Sequence, residues 1–312
     1  MQTGWIDNNT YYCDKSTGAM VTGWKWIEIP EEAKDLEKAY NTNEYFYFEA
    51  NGQVVKADTD DVARVKKIDG KRYGFDENGV MVKGWHKVKD ATPLISGYMY
   101  FAPKTENSFI EGAALCNSWY SMCGPENDNN EELSTGDTEW FYFDNQGFPI
   151  TGTSGVGTVK KITGKRYVFN EYGNPAYGFV KGTDGTNVYY YYCGDTKIAC
   201  SVRSGKFRVS NDGEMTDFYF DAMGRGYSGV KENKLYYNGK LQKADSDLKY
   251  VAITVNDKTY AVNQLGNVIK NKKKLKDNDG NIVSTNKYGE IEQNISGYLE
   301  EIKPESPVLE DD

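Results

Sequence analysis

The sequence predicts an all-β fold, an elongated solenoid of stacked β-hairpin repeats in about three super-repeats of about 94 residues. Three observations carry this. The 312-residue chain is poor in aliphatic residues but holds 25 Tyr, 13 Phe, 6 Trp and 32 Gly. One aromatic ring buries roughly 150–250 Å², so many thin β layers suit this composition better than one thick aliphatic core. Long segments recur in register along the chain. Short aromatic runs alternate with polar turns that end in glycine. The array is expected to span residues 1–300, with super-repeats at roughly 1–110, 111–205 and 206–300, and residues 301–312 read as an acidic disordered tail or linker.

The repeats give the register. Residues 65–79 (VKKIDGKRYGFDENG) return at 159–173 as VKKITGKRYVFNEYG, differing at four of fifteen positions with an offset of 94. A weaker third copy occupies 252–266 (AITVNDKTYAVNQLG), which aligns Lys71, Lys165 and Lys258, and Tyr73, Tyr167 and Tyr260. The hairpins before them match too: 44–52 (EYFYFEANG) parallels 139–147 (EWFYFDNQG). Each unit runs from an aromatic strand through a polar turn ending in Gly to an apolar strand. Gly-Trp often follows, as at Gly4-Trp5, Gly23-Trp24 and Gly84-Trp85, with Gly178-Phe179 as a variant. Period-two alternation sends Tyr45 and Tyr47 to one face and Phe46 and Phe48 to the other. A single hairpin is marginal in water, so neighbouring hairpins must stack. Residues 30–40 (PEEAKDLEKAY) read as a short exposed helical insertion.

Charge and cysteine usage narrow the function. A net charge of -9 and a pI near 5.0 oppose nucleic-acid binding, which needs a basic footprint. The lysines at 270, 272, 273, 274 and 276 read as a solvated loop. No apolar stretch approaches the roughly 20 residues a membrane-spanning helix needs, so no membrane insertion is expected. Met1 leads straight into the middle of a repeat, which reads as an excised fragment whose missing leader carries no information on location. Cys116 and Cys123 are seven apart, as are Cys193 and Cys200 on a plausible hairpin, where a disulfide or buried thiols fit equally. No C-x-x-C pair exists and His86 is the single histidine, so no metal or other cofactor is expected. Residues 277–280 (DNDG) suggest a calcium loop, but Tyr288 stands where the closing Glu belongs, and the segment reads as a turn. With one His, no nucleophile motif and no phosphate loop, the chain reads as non-catalytic.

Residues 4–24 (GWIDNNTYYCDKSTGAMVTGW) resemble one full unit of the choline-binding, or cell-wall-binding, repeat family of Gram-positive bacteria. Residues 100–112 (YFAPKTENSFIEG) are similar to the long repeat in the C-terminal arrays of large clostridial toxins. The resemblance covers most of residues 3–270. It implies a secreted, cell-surface binding module for cell-wall choline on teichoic acid, or for a glucan or host glycan. A purely structural stalk is the alternative from another class.

The resemblance also implies where ligand sits. In the family an aromatic box combines the Gly-Trp indole with the first and third residues of a WYYF strand, and aromatic faces attract a quaternary ammonium. Alternation gives the same outward pair. The ligand-binding residues are therefore expected to be Trp24 with Tyr45 and Tyr47, Trp85 with Tyr98 and Tyr100, and Trp140 with Tyr142. Phe46, Phe48, Phe75, Phe141, Phe143 and Phe169 are expected to pack. In the 71–75 and 165–169 strands the outward pair becomes Arg72 with Gly74 and Arg166 with Val168, so those hairpins are expected to lack cage walls. The first unit, with Thr10 and Tyr12, is incomplete.

Overall fold

The computed structural model describes residues 2–34, 40–104, 110–125, 137–197 and 199–310. Parts of four expected features lie outside them: 35–39 of the helical insertion, 105–109 of the long-repeat segment, Ile198 between Cys193 and Cys200, and 311–312 of the expected tail. Of the insertion, Glu31–Ala33 forms one 3-10 turn. The chain divides into two compact units, residues 1–151 with 171–174, and residues 152–170 with 175–312. Among the described residues the regular structure is β apart from two 3-10 turns.

The first unit is built of two-stranded antiparallel sheets. They pair Gly4–Ile6 with Tyr11–Cys13, Gly23–Glu28 with Asn43–Phe48, Arg64–Ile68 with Lys71–Phe75, Gly84–Lys87 with Tyr98–Phe101, and Ser118–Met122 with Glu139–Phe143. Turn chemistry sets the tightest of these. Asp69 and Gly70, at φ of 46° and 82°, form a two-residue loop between Ile68 and Lys71. Both central residues of such a turn need positive φ, which Asp-Gly accepts readily. Thr163 and Gly164 repeat it at φ of 45° and 87°, and Asn256 with Asp257 repeats it without glycine at 52° and 62°.

Alternation holds in Asn43–Phe48, where Glu44, Phe46 and Phe48 are buried and Asn43, Tyr45 and Tyr47 are half-buried. The six phenylalanines expected to pack are all buried. Each Gly-Trp indole rests on its own hairpin and on the next one. Trp5 lies 5.4 Å from Tyr12, 4.9 Å from Phe46 and 5.7 Å from Phe48. Trp24 repeats this with Tyr47, Tyr73 and Phe75 at 5.3, 4.8 and 5.8 Å, and Trp85 with Tyr100, Phe141 and Phe143 at 5.5, 5.2 and 5.5 Å. Main-chain bonds add to the stack: the N–H of Val54 donates to Thr10 and that of Met81 to Tyr45. One large ring per hairpin thus does what an aliphatic layer does elsewhere.

The second unit is more varied. It contains a four-stranded sheet in the order Lys165–Phe169, Gly157–Ile162, Phe179–Asp184, Asn187–Tyr192, whose central pair is parallel. A five-stranded sheet and two three-stranded sheets follow. Its core has an aromatic cluster of Phe179, Tyr192, Phe207, Phe218 and Phe220, and an aliphatic one around Leu235, Val251, Ile253 and Val262. Paired hairpins alone do not predict these wider sheets, which arise where successive hairpins join edge to edge.

Four expectations need correction. Gly74 and Val168 do not face outward; both are buried. An added Cβ at Gly74 would fall 2.7 Å from Phe101 and Val82 side-chain atoms, so glycine is there to let the next hairpin close. The lysine run is not a loop: Lys272–Lys276 is a strand whose lysines stay solvated while Leu275 is buried. Residues 193–197 and 199–200 leave the Asn187–Tyr192 strand without extending it as a hairpin, with Cys193 and Cys200 both buried. Residues 301–310 are not a loose tail but lie bonded along the second unit.

Burial of tyrosines gives the fold an alkaline limit. The Tyr12 hydroxyl, buried and donating to both Glu28 carboxylate oxygens at 3.0 Å, is pushed up to about 12 from an ordinary value of 10.0. Burial also raises Tyr73, Tyr98, Tyr100, Tyr236 and Tyr260. Such groups favour the folded state fully while the unfolded chain's phenols are protonated. That contribution is lost as pH climbs from 10 through 12. Stability is therefore expected to hold below pH 10 and fall steeply above it, with tyrosinate absorbance and loss of β signal rising together in an alkaline titration.

Candidate functional site

The strand Gly23–Glu28 carries Trp24 and Trp26 on one face, paired across the ladder with Tyr47 and Tyr45. Alternation on both strands thus assembles four rings on one side of a single hairpin. Trp24 stands almost perpendicular to Tyr45, at 6.5 Å and 89°, and Trp26 leans on the same Tyr45 at 4.6 Å. The next hairpin then supplies Tyr73, whose ring meets Trp24 at 71°.

Between these rings lies a hollow of about 250 Å³, lined by Trp24, Tyr45, Tyr73, Met81, Ile110 and Glu111. It is smaller than the roughly 300–1,000 Å³ of sites that hold drug-sized ligands, so it fits a small headgroup. Aromatic faces and a thioether make its walls, and Glu111 brings a carboxylate to its rim. The Glu111 carboxylate pairs with Lys83 at 2.8 Å, which holds it in place. Burial raises the Tyr73 phenol, with Asp69 adding to the shift, so its hydroxyl stays protonated.

The expected site residues separate into groups. Trp24 and Tyr45 line the hollow, while Tyr47 packs against the Trp24 indole beside it. Trp85 and Tyr100 meet at 5.5 Å, and Tyr100 lies 5.7 Å from Tyr120. Trp85 is anchored as structure, its indole N–H donating to the Cys123 carbonyl at 2.9 Å. Trp5 does likewise to Glu28 at 2.8 Å, whereas Trp24 has no such acceptor among the described residues. Tyr98 is buried in the core with Ile95 and Leu115. Trp140 is 47% exposed, and Trp119 joins it at 6.4 Å and Tyr142 at 5.2 Å.

Tyr73, Met81 and Glu111 were not expected in a site. Tyr73 occupies the inward column that holds Phe46 and Phe141 in the other Gly-Trp neighbourhoods, and a signal was present: a phenol where the equivalents are phenyl. Beside this hollow lies a larger acidic one of about 490 Å³ whose lining includes Tyr40, Glu44, Asp60, Asp76 and Glu77. Its polar groups largely satisfy one another, with Tyr40 donating to Asp76 at 2.6 Å and Asn41 to Glu44. Among the described residues no group of three or more His, Cys, Asp or Glu side chains is set to hold a metal ion.

No family model matches the chain, and no curated protein matches it. Solved structures do. The chain is similar to CbpJ from Streptococcus pneumoniae TIGR4, at 19% identity over 93% of this chain and 94% of that one, with a TM-score of 0.40. Choline-binding protein F from Streptococcus pneumoniae is similar at 19% identity over 94% and 93%, with a TM-score of 0.40. The choline-binding domain of CbpL from Streptococcus pneumoniae is similar at 15% identity over 80% and 97%, with a TM-score of 0.42. Likenesses at identities this low decide nothing about ligand, which is a matter for this chain's own side chains.

Proposed function

We propose that the protein is a non-catalytic, extracellular binding module, an array of stacked hairpins that attaches a larger secreted protein to choline groups on a cell surface. The observation that carries this is the hollow of Trp24, Tyr45, Tyr73 and Met81 with Glu111 at its rim. Each aromatic face attracts a quaternary ammonium by about 0.5–2 kcal/mol, most where water is excluded. A fixed carboxylate nearby favours a cation over a neutral group of the same shape. Weak sites linked along one chain gain by avidity.

A second reading, glycan recognition, draws on Trp140, whose exposed indole offers one aromatic face to a sugar ring, with Trp119 edge-on beside it at 82°. Parallel retention on choline and dextran resins separates the two, and retention on neither leaves a structural stalk. Glu111→Gln is expected to weaken choline binding about fivefold, on the order of 1 kcal/mol for a half-buried ion pair. Affinity for the uncharged analogue, in which carbon replaces the ammonium nitrogen, should not change. Calorimetry with both ligands reads the difference, and equal losses for the two would count against a charge-selecting cage.

A further inference from the structure

The carboxyl-terminal segment is held by the second unit as a ligand is held. Glu301–Ile302 pairs in parallel with Tyr250–Val255, and from there the chain runs back past earlier strands, gripped at intervals along its main chain. The Gln242 side-chain amide donates to the Glu305 carbonyl at 2.9 Å, and its oxygen accepts the Glu305 N–H at 2.8 Å. Asn211 does the same to Val308, at 2.8 and 2.9 Å. Asn238 donates to the Ser306 hydroxyl at 2.9 Å, Lys240 reaches the Glu305 carboxylate at 2.6 Å, and the Glu310 N–H donates to the Phe179 carbonyl at 3.0 Å.

The grip is specific in kind. A primary amide set against one residue's N–H and C=O satisfies both groups at once. With the segment in place Gln242 and Asn211 are 4% and 9% exposed, and each spends both ends of its amide on one main-chain residue of the segment. The two clamped residues are three apart, the turn length of an extended polyproline-type chain. Each follows a proline, Pro304 before Glu305 and Pro307 before Val308. Proline brings no N–H that needs a partner and pre-sets φ, so the segment loses little freedom on docking. Pro307 is buried, and Ile302 packs on the aliphatic cluster. Gly178 completes the groove: a Cβ there would fall 1.9 Å from the Glu310 side chain.

We infer that the second unit carries a binding groove for an extended, proline-containing peptide, clamped by Gln242 and Asn211, and that residues 303–310 (KPESPVLE) fill it in cis. The ligand class is a peptide of pattern Pro-acidic-x-Pro-x, whose acidic side chain meets Lys240.

The test ends the chain after Ile302, which keeps Leu299 in the core, and adds a labelled peptide of residues 303–310. Fluorescence anisotropy is expected to show saturable binding, weakened about tenfold by Gln242→Ala and again by Asn211→Ala, the size of two lost hydrogen bonds each. A shortened chain that keeps its β signal but takes up no peptide at millimolar concentration overturns the inference. If the shortened chain does not fold, the full chain carrying both substitutions decides by hydrogen exchange. Loss of protection at the Glu305 and Val308 amides, with strand amides unchanged, supports the groove, and undiminished protection there overturns it.

Discussion

Trp24→Ala is expected to abolish choline binding at the first-unit hollow and to cost about 3–5 kcal/mol of stability, the range for removing a large aromatic from a packed site. One side chain has both effects because it has two sides. One edge faces Tyr45 and Tyr73 across the hollow, and the rest of the ring locks two hairpins through Tyr47 and Phe75. Tyr73 carries both roles in the same way, since it is buried with Ile68, Phe75 and Met81 and also walls the hollow. Tyr73→Ala should therefore lower stability and choline affinity together, with the stability loss the larger, and Tyr73→Phe should restore most of both. All six tryptophans lie in the first unit, so their fluorescence in a urea titration reads that unit's stability directly. Choline affinity that survives Trp24→Ala in a folded protein would place the ligand elsewhere.

Phe179→Ala carries the largest stability effect expected in the second unit, about 3–5 kcal/mol. Its ring is fully buried and lies 4.6 Å from Phe218 and 4.7 Å from Tyr192, contacts that add about 0.5–1.5 kcal/mol each beyond area burial. The Phe179 carbonyl also accepts the Glu310 N–H, so the end of the docked segment should loosen as well. Hydrogen exchange across Phe179–Asp184 and Glu214–Phe220 measures the outcome. A loss under about 1 kcal/mol would mean that the cluster refills the cavity, as well-relaxed sites can.

Phe179 also shows how far sequence carries. It stands where three other repeats have the Gly-Trp indole, and it buries its ring against neighbouring strands as they do, so its place in the grammar was legible. Its surroundings were not, because Phe218 and Phe220 lie some forty residues away and meet it only through sheet pairing. The same division runs through the candidate site. Trp24, Tyr45 and Tyr47 follow from alternation on one hairpin, a local property. Tyr73, Met81 and Glu111 arrive from the next hairpin and a later loop, and nothing local aims them at Trp24. Tyr98 shares the period of Tyr100 yet is buried, because residues 94–97 turn back over it and place Ile95 against it.

The terminal segment gives the sharpest case. Taken alone, its charges and two prolines describe a chain with too little apolar surface to fold. The groove changes that, since Gln242 and Asn211 supply the hydrogen bonds that the segment cannot make for itself.

What the sequence by itself determined was the β class, the hairpin register, the turn positions and the column of packing phenylalanines. These follow from period-two alternation and from backbone conformations that only a few residue types accept. What only the tertiary structure decided was which hairpins widen into larger sheets, which aromatics line a hollow, and which chain end becomes a ligand. Those outcomes depend on surfaces brought together from distant parts of the chain, where one glycine such as Gly74 or one amide such as Gln242 settles the fit.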